Sequence, residues 1–155
     1  MTRIKLEAQQ FPEEALQAVQ QVLQPALENF GFFPGWLKDL TIAYSERPQS
    51  EDMTAHVEVS YNYRHATIFL TGHWLEEDTE GRVDIVLHEL AHVFLQPLFS
   101  AWQKIAVQLN ETAGAHTANL ANSMMSGAAE GVVCDLAGAL RGFIPLGEEE
   151  WVDMR

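Results

Sequence analysis

The chain has 155 residues, of which 47% are hydrophobic, and 22 acidic against 9 basic residues give it a formal net charge of −13. This length is that of one domain and is sufficient to bury a proper core. The acidic excess argues against nucleic acid or an anionic membrane as the main partner, because both require a basic face. Cys134 is the only cysteine, which excludes an internal disulfide and a zinc cluster built from cysteines.

Targeting and membrane signals are absent from the sequence. No apolar segment follows the N-terminal residues as a signal peptide would, and no apolar run approaches the length that spans a bilayer. We therefore expect a cytoplasmic protein with a single domain over residues 1–155. The sequence does not indicate an oligomeric state.

The first half of the chain predicts a strand, a helix and a second strand. Residues 3–7 indicate a short strand. A helix is predicted to begin at Phe11-Pro12-Glu13-Glu14, where the proline and the acidic side chains favour an N-terminus. Its apolar residues recur at helical spacing, with a kink expected at Pro25 and an end at Gly31. Alternation from Leu40 to Tyr44 then predicts a strand.

Two further strands are predicted to form a hairpin. Apolar and polar residues alternate from Val57 to Tyr61, and a second run extends from Ala66 to Leu70, with the turn near residues 62–65. Residues 47–54 before the hairpin form a polar loop that contains Pro48. Residues 72–81 after it form a mostly polar link.

The second half of the chain predicts helices. A helix that contains residues 83–95 is capped by Asp78 or Thr79, and Pro97 ends or bends it near Gln96. Helical pattern resumes over 98–109 and breaks over 110–114. The last helix is predicted to cover 115–141 and to end at Gly142 and Pro145. The order of elements predicts one α+β domain, in which the helix at residues 83–95 packs against a small mixed sheet.

His88-Glu89-Leu90-Ala91-His92 is an H-E-x-x-H motif inside this apolar helix. Residues four apart lie on one face of a helix about one turn apart, so both imidazoles can reach a single metal ion. Glu89 is offset by one residue and lies beside the ion. That position suits a carboxylate that takes a proton from metal-bound water and later passes it to a leaving amine.

A third protein ligand must come from elsewhere, because catalytic zinc usually takes three and leaves one position for water. Glu130 is the predicted ligand, since it is the only charged residue between Thr117 and Val133 and a lone carboxylate there requires a reason. Gly127 and Gly131 beside it are expected to let the last helix approach the motif helix closely.

Other acidic and histidine side chains are weaker candidates for the third ligand. Asp135 lies about 140° around the helix from Glu130, and His116 shares its face but is about 21 Å away along the axis. Glu111 is interpreted as a cap or surface residue. We interpret His56, His65 and His73 as structural or solvated. His65 or Tyr63 is an alternative donor to an oxyanion, and Tyr61 is interpreted as a core residue.

The run from His88 to Pro97, followed by Glu130-x-Val132-Val133-x-x-Leu136-Ala137, resembles the zincin metallopeptidases. Within them it is similar to the compact gluzincin-like group and to small H-E-x-x-H proteins encoded by phages and prophages. The resemblance implies a zincin-like fold, zinc bound by His88, His92 and Glu130, and Glu89 as base and acid. It also implies an edge strand, over about residues 56–61, that pairs with an extended peptide.

The chain departs from that family at one position. Larger gluzincins often carry an acid four residues after the glutamate ligand, where it orients a histidine, but Cys134 stands there in this sequence. Asp84, one turn before His88, is an alternative partner for that histidine.

The leading hypothesis is thus a zinc-dependent peptidase that acts on a protein or peptide. A variant of this hypothesis is a regulatory protease with a single dedicated target, such as a repressor. The alternative is a non-catalytic zinc-binding module of phage type, structural or interacting, that keeps a peptidase fold. Trp151 in the acidic tail is an alternative plug for the site. Zinc is the metal that the pattern favours, although such ligands also accept other divalent ions.

Overall fold

The computed structural model describes residues 2–46, 50 and 52–144 as a mixed α+β fold, which confirms the predicted class at that level. Residues 47–49, which include Pro48, lie outside the described part, as do Pro145 and Trp151. Short 3₁₀ turns cover Ala8–Gln10 and Tyr61–Tyr63. The strands and α-helices are β1 (Arg3–Leu6), α1 (Glu13–Ala18), α2 (Gln24–Phe30), β2 (Asp39–Tyr44), β3 (Ala55–Ser60), β4 (His65–Leu70), α3 (Gly72–Glu76), α4 (Thr79–Ala113) and α5 (Ala115–Arg141).

The four strands form one mixed sheet in the order β1-β2-β4-β3. β2 is parallel to both of its neighbours, and β3 is antiparallel to β4. Residues 40–43 of β2 are all buried, as expected for a strand that is covered on both faces. β3 lies at the edge of the sheet and beside α4. The sheet and the edge position of β3 therefore agree with the sequence.

The first predicted helix is divided in two by a π-helical segment, Val19–Leu23, which lies just before Pro25. In the widened turn the N–H of Gln24 donates to the carbonyl of Val19, five residues earlier. Pro25 has no N–H to donate, so the expected irregularity occurs where the helix ladder is interrupted. Gly31 ends α2 in the left-handed conformation with φ of 59°.

The turn between β3 and β4 corrects one prediction. Tyr61 lies in that turn and is 37% exposed, so its assignment to the core is wrong. Its ring contacts Trp36 edge-on at a centroid distance of 4.9 Å. Arg64 closes the turn with φ of 57°.

Residues 72–81 are not simply a polar link, because Gly72–Glu76 form α3. Trp74 is fully buried, and its indole N–H donates to the carbonyl of Arg82 at 3.0 Å. Because the segment around Trp74 is mostly polar, the sequence pattern does not predict that this side chain is buried. Asp78 is the N-cap of α4 and accepts from the N–H of Gly81 at 2.8 Å, as one of the two predicted caps.

α4 does not end at Pro97 but runs for 35 residues in all, from Thr79 to Ala113, and the predicted break over 110–114 is confined to Gly114. Gly114 has φ of 86°, a conformation that favours glycine. Contacts with α5 on both sides of Pro97 stabilise the continuous helix. They include the bond from the indole N–H of Trp102 to Oδ1 of Asn122, at 3.0 Å.

α4 and α5 form an antiparallel pair. The α4 residues buried in the core all lie between Val83 and Val93, so this half packs on the sheet while the second half projects with α5. Near the other end of the pair, Nε of Arg141 lies 2.7 Å from Oδ1 of Asp84. α5 covers Ala115–Arg141, the range that the sequence predicts. Among the described residues, no helix has the length and apolarity needed to cross a membrane.

Candidate metal centre

The two histidines of the motif lie on one side of α4, on the half that packs on the sheet. Leu87, Leu90 and Ala91 are buried and fix the rotation of the helix. His88 and His92 consequently remain partly exposed, with side-chain exposures of 31% and 28%. Their ring centroids are 5.1 Å apart. The helical spacing therefore places both imidazoles at one site, as predicted.

Glu130 of α5 reaches both imidazoles. Its Oε1 lies 3.0 Å from Nε2 of His88, and its Oε2 lies 3.8 Å from Nε2 of His92. Ligand atoms around tetrahedral zinc are roughly 3.3–3.8 Å apart, given the usual bond lengths. Two imidazoles and a carboxylate are also a donor set that zinc uses in catalytic sites. The three side chains predicted from the sequence therefore lie beside one another and offer donor atoms of the kinds that catalytic zinc uses.

Cys134 is a further potential ligand at this site. Among the described residues, one group of three such side chains has its ligand atoms all within 4.8 Å of one another, and it comprises His88, Glu130 and Cys134. His92 is not a member of this group, although its Nε2 lies 3.8 Å from Oε2 of Glu130. The signal for Cys134 was present in the sequence, since positions 130 and 134 share a helix face.

The other candidates for the third ligand do not lie next to Glu130 and the two histidines. His116 lies in the first turn of α5, about 21 Å of helix from Glu130, and Asp135 and Glu111 are exposed on α5 and α4. Asp84 pairs with Arg141, so the suggestion that it orients His88 is not supported. The partner of His88 in the structure is Glu130 itself.

Glu89 is largely buried next to the two histidines. Burial raises the pKa of its carboxyl to about 7, the negative charge of Glu130 adds to the rise, and a hydrogen bond from the N–H of Val57 opposes it. Since Val57 belongs to β3, this bond links the motif helix to the edge strand. A carboxyl with a pKa near 7 can both accept and return a proton at neutral pH.

The electrostatics of His92 favour the form that binds metals. Burial lowers the pKa of its imidazole, the proximity of Glu130 raises it, and His88 lowers it. The net direction is downward, so the ring is more readily neutral. Neutral imidazole is the state that donates a lone pair to a metal.

A cavity of about 430 Å³ lies beside the cluster, between β3 and α4. His56, which the sequence suggested was structural or solvated, lines it and stacks on Phe69 at a centroid distance of 4.8 Å. Its Nδ1 is buried and has no hydrogen-bond partner among the described residues. His56 is therefore a polar group of the site that the sequence did not single out.

The suggested oxyanion donors lie elsewhere. His65 bonds to the hydroxyl of Thr67 at 2.9 Å, and Tyr63 is 84% exposed in the β3–β4 turn. Tyr63 lines a second cavity of about 540 Å³, which lies between that turn and the second half of α4. Val59 of β3 lines both cavities.

No known protein family, curated protein or solved structure matches this chain. The resemblance to zincins therefore stays a prediction. What supports a function is the arrangement of His88, Glu89, His92 and Glu130 beside an edge strand.

Proposed function

We propose that this protein is a zinc-dependent peptidase of zincin-like architecture, with His88, His92 and Glu130 as the metal ligands and Glu89 as general base and acid. The observation that carries the proposal is the convergence of both imidazoles on one carboxylate, at 3.0 and 3.8 Å, with a carboxyl of raised pKa beside them. Zinc, when bound, would supply a Lewis acid that acidifies a water molecule and polarises a carbonyl.

Glu89 would move the protons of the reaction. Because its pKa is about 7, it is substantially ionised at neutral pH and can take a proton from the attacking water. The protonated carboxyl then returns the proton to the leaving amine. Its bond from Val57 holds the carboxylate in place between the ligands and the strand.

β3 would hold the substrate as an added strand. Thr71 N–H donates to the carbonyl of Thr54, which sets the alternation of the antiparallel β3–β4 pair. Ala55, Val57 and Val59 therefore direct their N–H and C=O groups away from β4. The N–H of Val57 donates to Glu89, so the groups of Ala55 and Val59 and the C=O of Val57 are left for a substrate. An extended peptide that pairs there would pass through the cavity beside the motif, which supports a protein or peptide as substrate.

The test is the Glu89→Gln variant, because glutamine keeps the shape of the side chain but cannot accept the proton. Hydrolysis of an unfolded, fluorescently labelled protein and of a random peptide mixture should fall at least about a thousandfold or below detection. Zinc content and affinity should stay close to those of the original chain. Glu111→Gln, on the same helix but remote from the cluster, is the matched control and should keep full activity.

Undiminished cleavage by Glu89→Gln would contradict the proposed mechanism. If neither the zinc-loaded original chain nor its Cys134→Ser variant cleaves either substrate, the non-catalytic metal-binding module becomes the better proposal. The observation that favours that second candidate is the proximity of Cys134, because a fourth protein ligand would occupy the position that catalytic zinc keeps for water.

A further inference from the structure

Cys134 occupies a defined place relative to the candidate metal ligands. It lies one helical turn after Glu130 on α5, and the ligand atoms of His88, Glu130 and Cys134 are all within 4.8 Å of one another. The thiol is exposed. Because this is the only cysteine of the sequence, it has no partner in the chain with which to form a disulfide.

The two long helices contribute equivalent pairs of side chains to one place. His88 and His92 are four residues apart on α4, and Glu130 and Cys134 are four residues apart on the antiparallel α5. The carboxylate of Glu130 is the common neighbour, at 3.0 Å from His88 and 3.8 Å from His92. Three of the four donors, those of His88, Glu130 and Cys134, therefore lie close enough to share one ion, and His92 adjoins them through its contact with Glu130.

The chemistry of the four donors also favours zinc. Zinc accepts thiolate, imidazole and carboxylate together, and four protein ligands are characteristic of its closed tetrahedral sites. Metal coordination deprotonates a cysteine that is otherwise mostly a thiol at neutral pH. The softness of the thiolate would select zinc or cobalt against magnesium and calcium.

We propose that Cys134 is the fourth ligand of the metal, and that its thiolate competes with water for the position that hydrolysis requires. This inference rests on the proposed metal site of His88, His92 and Glu130. With the thiolate bound the peptidase is latent, and with the thiolate displaced a water molecule can occupy its place. The chain would thus carry its own inhibitory ligand, one turn from a catalytic one.

Cobalt provides a direct readout of the sulfur ligand that does not depend on activity. The full-length reduced chain, freed of metal, is titrated with Co²⁺, and its near-ultraviolet absorption is followed for a thiolate-to-cobalt charge-transfer band. We expect the band to saturate at one cobalt per chain. Cys134→Ser should lose this band while it keeps the visible bands of cobalt bound by the other three side chains.

Thiol protection supplies a second measurement on the unmodified chain. Zinc should slow the reaction of Cys134 with a disulfide reagent at least about tenfold, because a coordinated thiolate is a poorer nucleophile and less accessible. His88→Ala should abolish this protection. Cys134→Ala serves beside Cys134→Ser in case one of them folds poorly, and Thr117→Ala, at the far end of the same helix, is the control that should change nothing.

The outcomes separate this inference from the proposed function. Stoichiometric cobalt binding without a sulfur band, and a thiol that reacts equally fast with and without zinc, would overturn the role of Cys134 and leave the three-ligand peptidase standing. A sulfur band with no hydrolysis even in Cys134→Ser would support the ligand and contradict the peptidase. A rise in hydrolysis of at least about tenfold in Cys134→Ser supports both. Failure to bind either metal overturns both.

Discussion

Nε2 of His88 lies 3.0 Å from Oε1 of Glu130, so a carboxylate of α5 contacts the first imidazole of the motif on α4. The same carboxylate is 3.8 Å from Nε2 of His92 and raises the pKa of Glu89. Two carboxylates and two imidazoles thus share one partly exposed site. A bound dication would compensate the negative charge that accumulates there at neutral pH.

Glu130→Gln and His88→Ala should each reduce zinc affinity by more than the roughly 10–100-fold that loss of an outer-sphere partner costs, because each removes a direct ligand. The measurement is competition for zinc with a chromophoric chelator at fixed pH. Asp135→Asn, five residues after Glu130 on α5, is the matched control and should keep the original affinity. Equal affinities in all three variants would show that the ion binds elsewhere.

The contact of both imidazoles with Glu130 could be predicted because each inference used only residues that are close together in the sequence. The motif spacing places two imidazoles on one face, and Glu130 is the only charged residue in the stretch 117–133, which marks the carboxylate. The bounds of α5 also follow from its pattern, between Gly114 and Gly142. The sequence marks Cys134 as the residue that replaces an expected acid, and does not mark it as a ligand. Whether its thiol points to the site of Glu130 depends on how α5 packs on α4, which is a tertiary contact.

Glu89 should make the stability of the metal-free protein depend on pH. Its pKa is raised from an ordinary value of 4.5 to about 7, so the folded state binds the proton more tightly than the unfolded chain does. The resulting stabilisation is fully present below pH 4.5 and is lost as the pH rises through about 7. Its size is at most about 3 kcal/mol, from 1.36 kcal/mol per pKa unit.

Urea unfolding of the chelator-treated protein checks this prediction. The free energy of unfolding of Glu89→Gln, measured relative to that of the original chain, should be higher at pH 8 than at pH 5. The change between the two pH values should be up to about 3 kcal/mol. Glu111→Gln, on the exposed end of α4, should show no such difference between the two pH values. A Glu89→Gln advantage that is the same at both pH values would contradict the raised pKa.

Arg141 should hold the C-terminal end of α5 against the start of α4. Its Nε lies 2.7 Å from Oδ1 of Asp84, and its side chain is only 19% exposed. Arg141→Met, which keeps most of the apolar stem, should destabilise the fold by about 1 kcal/mol, because a charge-assisted bond with a half-exposed partner contributes little more. A double-mutant cycle with Asp84→Asn isolates the pair, and a coupling energy of zero would refute it.

Elements that depend on tertiary contacts were less predictable. The helix continues through Pro97 because α5 packs beside it, and Trp74 anchors α3 in a segment whose neighbours are polar. Tyr61 alternates as a core residue would but lies in the turn after β3. In each case the local pattern was overridden by a partner that is distant in sequence.

Gly127 and Gly131 provide the sharpest difference between sequence and structure. The sequence suggested that they allow a close approach of the two helices, yet a Cβ added at either position would have no atom within 4 Å. That interpretation is therefore wrong, since this side of α5 is exposed and its packing uses residues such as Val133 and Leu140. Both glycines then carry only the conformational cost of glycine within a helix.

Gly127→Ala and Gly131→Ala should each stabilise the protein by about 0.5–1 kcal/mol, because alanine loses less backbone entropy in a helix. Zinc affinity should be unchanged in both. Gly114→Ala is the contrasting control, because its φ of 86° strains any side chain, and it should destabilise the fold by about 1–3 kcal/mol. Thermal and urea unfolding measure all three variants. A loss of stability together with weaker zinc binding in Gly127→Ala or Gly131→Ala would instead restore the close-approach interpretation and place α5 nearer to α4 than the structure has it.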